Sequence, residues 1–366
     1  MDEKTALVAL NMIDGIGSVK LNRLIGKFKN ARSVFSAEFS ALRDTEGIGP
    51  ALAQGIINFD FKLAEKEIYE AGKKNINIIT VFDEGYPDIL KNIYDPPPVL
   101  YIAGKNIPPA VLNIGIVGTR VPTDYGANSL IKIIREMARS RVTFNVISGL
   151  ARGIDTVAHI ESLKQGLFTA AVLGFGINRL WPFEKNPLVK GIYNKGSIIS
   201  EFPLNTLGLK QNFPRRNRVI SGLSDGVLII EAAERSGALI TADCALEQGR
   251  EVFALPGSIF SEKSKGTNNL ISQGAKILRS AEDIIEEFGF KKNKKAPAEI
   301  KPDETEKSLS ADEKNVYRVL TEEKKHIDNI SIESNMDITK LNSILTFLEL
   351  KGIVKQLSGK NFVKLR

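Results

Sequence analysis

A chain of 366 residues with 43% apolar and 25% charged side chains has a globular composition and enough length for two or three packed cores, which excludes wholesale disorder and a collagen-like fibre. Fifty Lys and Arg against 43 Asp and Glu leave a formal charge of +7, a moderate excess that favours a polyanionic partner. One Cys, Cys244, forbids an internal disulfide, and with two His no zinc site of the usual Cys/His kind can be assembled, so neither an oxidising compartment nor a metal is expected.

The chain opens Met-Asp-Glu-Lys, acidic where a secretory leader is basic, and no apolar run approaches the roughly 18 residues of a membrane span. A soluble, cytoplasmic protein with no membrane partner is expected. Residues 1–75 read as helical and contain an internal echo: Leu10, Ile13, Gly15-Ile16-Gly17, Leu21 and Leu24, then Leu42, Gly47-Ile48-Gly49 and Ala53. Helix, Gly-apolar-Gly turn, helix is the pattern of a helix-hairpin-helix, in which glycine permits the tight turn and amides face a phosphate. Two helix pairs packed for structure alone fit the same residues.

Between 76 and 110 lies a predicted strand, NIIT at 77–80, followed by YP at 86–87 and DPPPVLY at 95–101, where three prolines hold the chain extended. From about Val111 to Phe288, short β-branched runs alternate with helical patterns. The runs are 111–117, 145–148, 169–173, 197–200, 226–230, 251–255 and 275–278. Continuous apolar strands with intervening helices predict an α/β fold, an extended Rossmann-like doubly wound and mostly parallel sheet. KKNKKAPAEIKPDETEKS, from Lys291 to Ser308, lacks apolar periodicity and reads as a linker. Beyond it, helical periodicity at Val316, Val319 and Leu320, the run Ile338 to Leu350, and two alternating segments joined by Ser358-Gly359 predict a winged helix. The expected organisation is a helix-hairpin-helix-like domain at 1–75, the sheet domain at 76–289, a linker at 290–307 and the winged helix at 308–366. The winged helix's expected reading helix exposes Lys340 as its only cation, so protein contact there is at least as well supported as DNA reading.

Ligands of an open parallel sheet sit at the carboxyl ends of its strands, and here those turns are rich in Gly and Arg. GIVGTRVPTDYG supplies Gly118, Thr119 and Arg120, with Thr123 as a helix cap; SGLARGIDTVAH supplies Arg152; GFGINRLWPFEKN supplies Gly174, Gly176, Arg179, Trp181 and Lys185. FPRRNR places Phe213, Arg215, Arg216, Asn217 and Arg218 at a helix start, a concentration of guanidinium that points to phosphate. Gly237 begins another helix and Lys265 follows the sixth strand. So much cation exceeds what one small ligand needs and fits a repeating polyanion, whose unpaired bases could stack on neighbouring aromatics. No full Gly-x-Gly-x-x-Gly fingerprint and no P-loop occur, so no nucleotide cofactor is expected. His159, one helical turn after Asp155, reads as a buried, hydrogen-bonded histidine in place of half a catalytic pair. Glu231, near Ser236-Gly237, is the candidate acid of a competing reading, a nucleotide-hydrolase-like enzyme acting on nucleoside monophosphates. A third, a purely protein-binding scaffold, leaves the cationic turns unexplained.

These motifs, together with SGALITADCALEQGREVFALPG and GTNNLISQGA, closely resemble the DprA/Smf family of DNA-processing proteins over nearly the whole chain. Departures are mild: Thr119 where Ser is usual, Trp181 where Tyr is common, Ala238 where Thr or Ser is frequent. The resemblance implies a non-enzymatic protein without cofactors that binds and protects incoming single-stranded DNA in natural transformation, loads the RecA recombinase in recombination, and dimerises through its Rossmann-like domain. It puts the DNA contacts on Arg120, Lys185, Arg215, Arg216 and Arg218, and associates Leu270 and Ile271 with dimer or RecA contact.

Overall fold

The computed structural model describes residues 1–290, 309–321, 325–351, 353–357 and 360–364. Two compact units result, Met1–Lys291 and Lys292–Arg366. The expected linker lies outside the described residues, as does the Ser358-Gly359 turn.

The first unit opens with six helices, α1 (Glu3–Met12), α2 (Ser18–Phe28), α3 (Ala31–Phe35), α4 (Phe39–Arg43), α5 (Pro50–Ile57) and α6 (Phe61–Lys73). The sequence echo is a structural one. Gly15 and Gly47 take φ of +84° and +83°, conformations that a side chain would strain, and Ile16 and Ile48 are buried between the helices they join. The helical region does not stand apart from the sheet. Leu7, Leu10 and Leu24 share one apolar cluster with Tyr101, Leu173 and Ile198, so the first 75 residues cover one face of the strands.

After them come β1 (Ile76–Thr80), α7 (Asp88–Lys91), β2 (Val99–Gly104), β3 (Leu112–Gly118), α8 (Asp124–Arg139), β4 (Phe144–Ser148), α9 (Ile154–Lys164), β5 (Phe168–Leu173), α10 (Pro187–Lys195) and β6 (Ser197–Ser200). The unit ends with α11 (Asn212–Gly222), β7 (Gly226–Ile230), α12 (Gly237–Glu247), β8 (Glu251–Ala254), α13 (Lys265–Ser272), β9 (Lys276–Ile277) and α14 (Ala281–Glu287). The nine strands form one sheet in the order β1-β2-β6-β5-β4-β3-β7-β8-β9. Every pairing from β6 to β9 is parallel, as continuous apolar strands dictate. The proline-rich extension ends in β2, a strand antiparallel to both β1 and β6. Prolines 96–98 kept the sequence reading at an extended segment; the apolar run behind them supplies the ladder.

β3 is parallel to β4 on one side and to β7 on the other, with chain order running outward in both directions. The loops leaving β3 and β7 therefore diverge and open a crevice at their carboxyl ends. That switch point positions the site.

The second unit packs α15 (Ala311–Val319), α16 (Ile327–Ser334) and α17 (Ile338–Leu350) on a small sheet of β10 (Lys325–His326), β11 (Val354–Leu357) and β12 (Asn361–Lys364), in the order β10-β12-β11. Val316, Ile330, Leu341, Leu345 and Phe362 form its core, and the arrangement is a winged helix. The one cation expected on its reading helix, Lys340, is tied to Asp312 at 2.7 Å.

Candidate nucleic-acid interface

A cleft of about 610 Å³ occupies the switch point. One wall is the turn after β3, Gly118-Thr119-Arg120. The opposite wall is the first turn of α12 with Arg235, Ser236 and Gly237, and the start of α11, with Phe213, Pro214, Arg216 and Asn217, closes it together with Lys210. The sequence builds this tightly. A Cβ on Gly118 would lie 2.0 Å from the Ile230 carbonyl oxygen, and one on Gly153, where φ is +85°, would lie 2.4 Å from that of Thr119. Only glycine lets the two turns touch. Ser236 caps α12, its hydroxyl accepting from the Ala238 amide at 3.3 Å.

Three cations line the rim: Arg120, Lys210 and Arg235 are exposed, and among the described residues none of them forms an ion pair. Phe213 lines the same cleft. Its ring lies so close over Gly174 that a Cβ there would come within 2.8 Å of Cδ1. Gly174, expected at the DNA, is instead the floor on which the aromatic rests. Gly176 is likewise internal, packed against the Pro203 and Leu204 carbonyls.

The arginines of FPRRNR divide by helical geometry. Arg216 lies at the cleft floor, 6% exposed, with Nη1 donating to the Gly149 carbonyl at 2.6 Å and to that of Val172, and Nε donating to Asn217 Oδ1 at 3.2 Å. Asp155 faces it, its Oδ2 accepting from the Gly149 and Ala151 amides. Burial lowers the Arg216 pKa to about 10, which leaves it protonated at neutral pH, a fixed positive charge beneath the cleft. Arg218 corrects the sequence expectation: it is 8% exposed, its Nε 3.0 Å from Asp95 Oδ2, its Nη2 paired with Glu201 and its Nη1 donating to the Asp95 carbonyl at 2.8 Å. A guanidinium so enclosed is not available to DNA. Arg215, exposed, points away from the crevice and lines a second, smaller cleft.

The remaining expected contacts do not line the crevice. Arg152, Arg179 and Lys185 are exposed elsewhere on the loops after β4 and β5, and Lys265 is tied to Glu262 at 2.7 Å. Trp181 is half exposed, edge-on to Phe183 at 5.0 Å. Leu270 is 6% exposed, while Ile271 beside it is half-buried. Sequence reasoning passed over Lys210 and Arg235, which sit in segments without a dense cationic motif. Arg235 stands one residue before the Ser236 cap, the position from which a side chain overlooks a helix N-terminus, and that was the available signal.

Two titratable candidates resolve as structural. Glu231, with φ of +52°, accepts from the Thr123 amide at 2.8 Å and from the Thr123 hydroxyl, so both carboxylate oxygens are committed to the start of α8. His159 is fully buried, Nδ1 2.7 Å from Thr169 Oγ1, and burial drives its pKa to about 3. Because the unfolded chain binds that proton near pH 6.5, the histidine's contribution is complete above pH 6.5 and is lost as pH falls toward 3. Urea unfolding at pH 7.5 and 5.0 should therefore show the wild type losing about 2 kcal/mol more than His159→Gln between the two. Comparing the two proteins cancels the buried carboxylates, whose raised pKa values act in the opposite sense.

A family model for DNA recombination-mediator protein A matches residues 77–289, and one for the DprA winged helix domain matches residues 300–360. Protein Smf of Escherichia coli is 34% identical over 365 residues, covering 98% of this chain and 94% of its own. The DNA processing protein DprA of Bacillus subtilis is 44% identical over 217 residues, 59% of this chain and 72% of its own. Among solved structures, DNA processing protein A of Streptococcus pneumoniae superposes with a TM-score of 0.66 at 30% identity, covering 80% of this chain and 99% of that one. DNA processing protein A of Helicobacter pylori, described with a unique single-stranded DNA binding mode, gives 0.50 at 27% identity, covering 58% and 96%. With a family model spanning more than half its length and a relative aligned along nearly all of it, the chain belongs to the DNA recombination-mediator protein A family, that of the DprA and Smf proteins.

Proposed function

We propose that this protein binds single-stranded DNA in the switch-point cleft, without catalysis and without a cofactor, and protects the strand during DNA processing in natural transformation. The observation that carries the reading is the cleft's inventory: three exposed cations with no ion partner among the described residues, and the Phe213 ring, around a buried guanidinium. Phosphates meet Arg120, Lys210 and Arg235, with Arg216 adding field from below, and a base stacks on Phe213. The Helicobacter pylori relative, described as a single-stranded DNA binder, supports it. Glu231, with both carboxylate oxygens bonded to Thr123, offers no free acid to a hydrolase. Delivery of the strand to the RecA recombinase and assembly as a homodimer belong to the same proposal and rest on family membership. Of the pair assigned to those contacts, Ile271 is the one with surface to offer.

Competition between single-stranded and double-stranded oligonucleotides of equal length tests it at two salt concentrations. The single strand should win at both, with affinity for it falling steeply as salt rises. Equal competition by duplex, or affinity indifferent to salt, would overturn the assignment.

A further inference from the structure

The first two turns of α11 contribute to two clefts. Phe213, Pro214, Arg216 and Asn217 face the switch point, while Arg215 and Arg218 face the other way, into a cleft of about 300 Å³ shared with Lys20, Asp95 and the Gly15–Gly17 hairpin. The two arginines there are in opposite states. Arg218 has spent its donors on Asp95, Glu201 and Ser18. The Arg215 guanidinium is held without being neutralised: its Cζ lies 5.2 Å from the centre of the Phe202 ring, and a Cβ on Gly17 would come within 3.1 Å of its Nη2. Among the described residues it makes no ion pair and no hydrogen bond, so its N–H donors remain open. Lys20 donates once, to the Gly15 carbonyl at 3.0 Å, and keeps two donors. Three cations here outnumber the two carboxylates, Asp95 and Glu201, both of which pair with Arg218.

We infer that a single strand lying in the first cleft continues over the start of α11 and places a further backbone phosphate between Arg215 and Lys20, which makes the first Gly-Ile-Gly hairpin part of the DNA path. This rests on the reading of the first cleft. Pro214 and Arg216 line that cleft and Arg215, between them in the chain, lines the other, so one stretch of α11 contributes to both cationic surfaces. Stacking on Phe202 orders the Arg215 side chain before the phosphate arrives, which lowers the entropy lost on contact. A side chain at Gly17 would press on that guanidinium, whose end would have to shift by a few tenths of an ångström.

Oligothymidylates of about 5 and about 20 nucleotides bracket the site sizes of such grooves and separate the two clefts. Arg215→Gln and Lys20→Gln should leave affinity for the short oligomer unchanged and weaken the long one about 5- to 10-fold, each lowering the long oligomer's salt slope by about 0.7. Lys20→Arg should bind like the wild type, which separates charge from the Gly15 bond. Unchanged affinity and slope for the long oligomer in both Gln variants would overturn the inference, as would equal losses at both lengths. Arg235→Gln serves as the independent arm: it should weaken both lengths, and if it weakens neither, the first cleft is misassigned instead.

Discussion

Arg218→Met is expected to destabilise the protein by about 3–5 kcal/mol and to lower its melting temperature on the order of 10 °C, while the folded fraction still binds single-stranded DNA with wild-type affinity. The methionine fills the space but leaves Asp95 and Glu201 without their ion-pair partner, with only the more distant Arg215 charge acting on them. Burial already raises the pKa of both carboxyls, and Arg218 is the larger of the two charges that oppose that rise, Arg215 being the other. Removing it pushes both further up. A carboxyl whose folded pKa exceeds its unfolded value binds protons on folding, so the variant should recover stability as pH falls through that raised pKa, and its deficit should shrink between pH 8 and pH 5. Adding Asp95→Asn and Glu201→Gln should restore much of the loss, because neutral amides carry a far smaller desolvation penalty. Thermal melting with the three proteins checks this. A variant that melts like the wild type but no longer binds DNA would mean that Arg218 belongs to the interface after all.

That prediction marks where the sequence stopped being legible. The order of apolar runs and glycine turns was enough for a doubly wound sheet, since strands covered on both faces have little room for polar residues, and the Gly-Ile-Gly echo was enough for two like hairpins. What a linear pattern does not carry is the direction in which each side chain leaves a helix. Arg215, Arg216 and Arg218 look equivalent as a cluster, yet at about 100° per residue they face the second cleft, the floor of the first, and the carboxylates Asp95 and Glu201. Their partners lie far off in the chain: Asp95 and Glu201 for Arg218, Gly149 and Val172 for Arg216. Lys210 and Arg235 were missed for the converse reason. Each is an isolated cation in an unremarkable loop, and only the closing of the sheet brings them opposite Arg120. Glu231 shows the same limit from the acidic side, since its partner Thr123 lies on the turn after another strand.

Neutralising the rim should then separate charge from fold in the opposite way to Arg218. The triple variant Arg120→Gln, Lys210→Gln, Arg235→Gln removes three exposed side chains that have no ion partner among the described residues, so its stability should stay within about 0.5 kcal/mol of the wild type. At about 1.5 kcal/mol per charge-assisted phosphate contact, its affinity for single-stranded DNA should fall roughly a thousandfold. The logarithmic salt slope should flatten by about 2, because three fewer phosphates release counterions at ~0.7 each. The two observables are separable: loss of affinity at an unchanged slope would point to a lost base contact or a distorted loop, whereas a flattened slope counts phosphates directly. Phe213→Leu supplies the complement, reducing affinity by about 1–3 kcal/mol with the slope intact, since it deletes a stacking face and no charge. Titrations of a labelled oligonucleotide at several salt concentrations distinguish all of these, and a triple variant that retains wild-type affinity and slope would remove the cleft from consideration as the place where the strand is held.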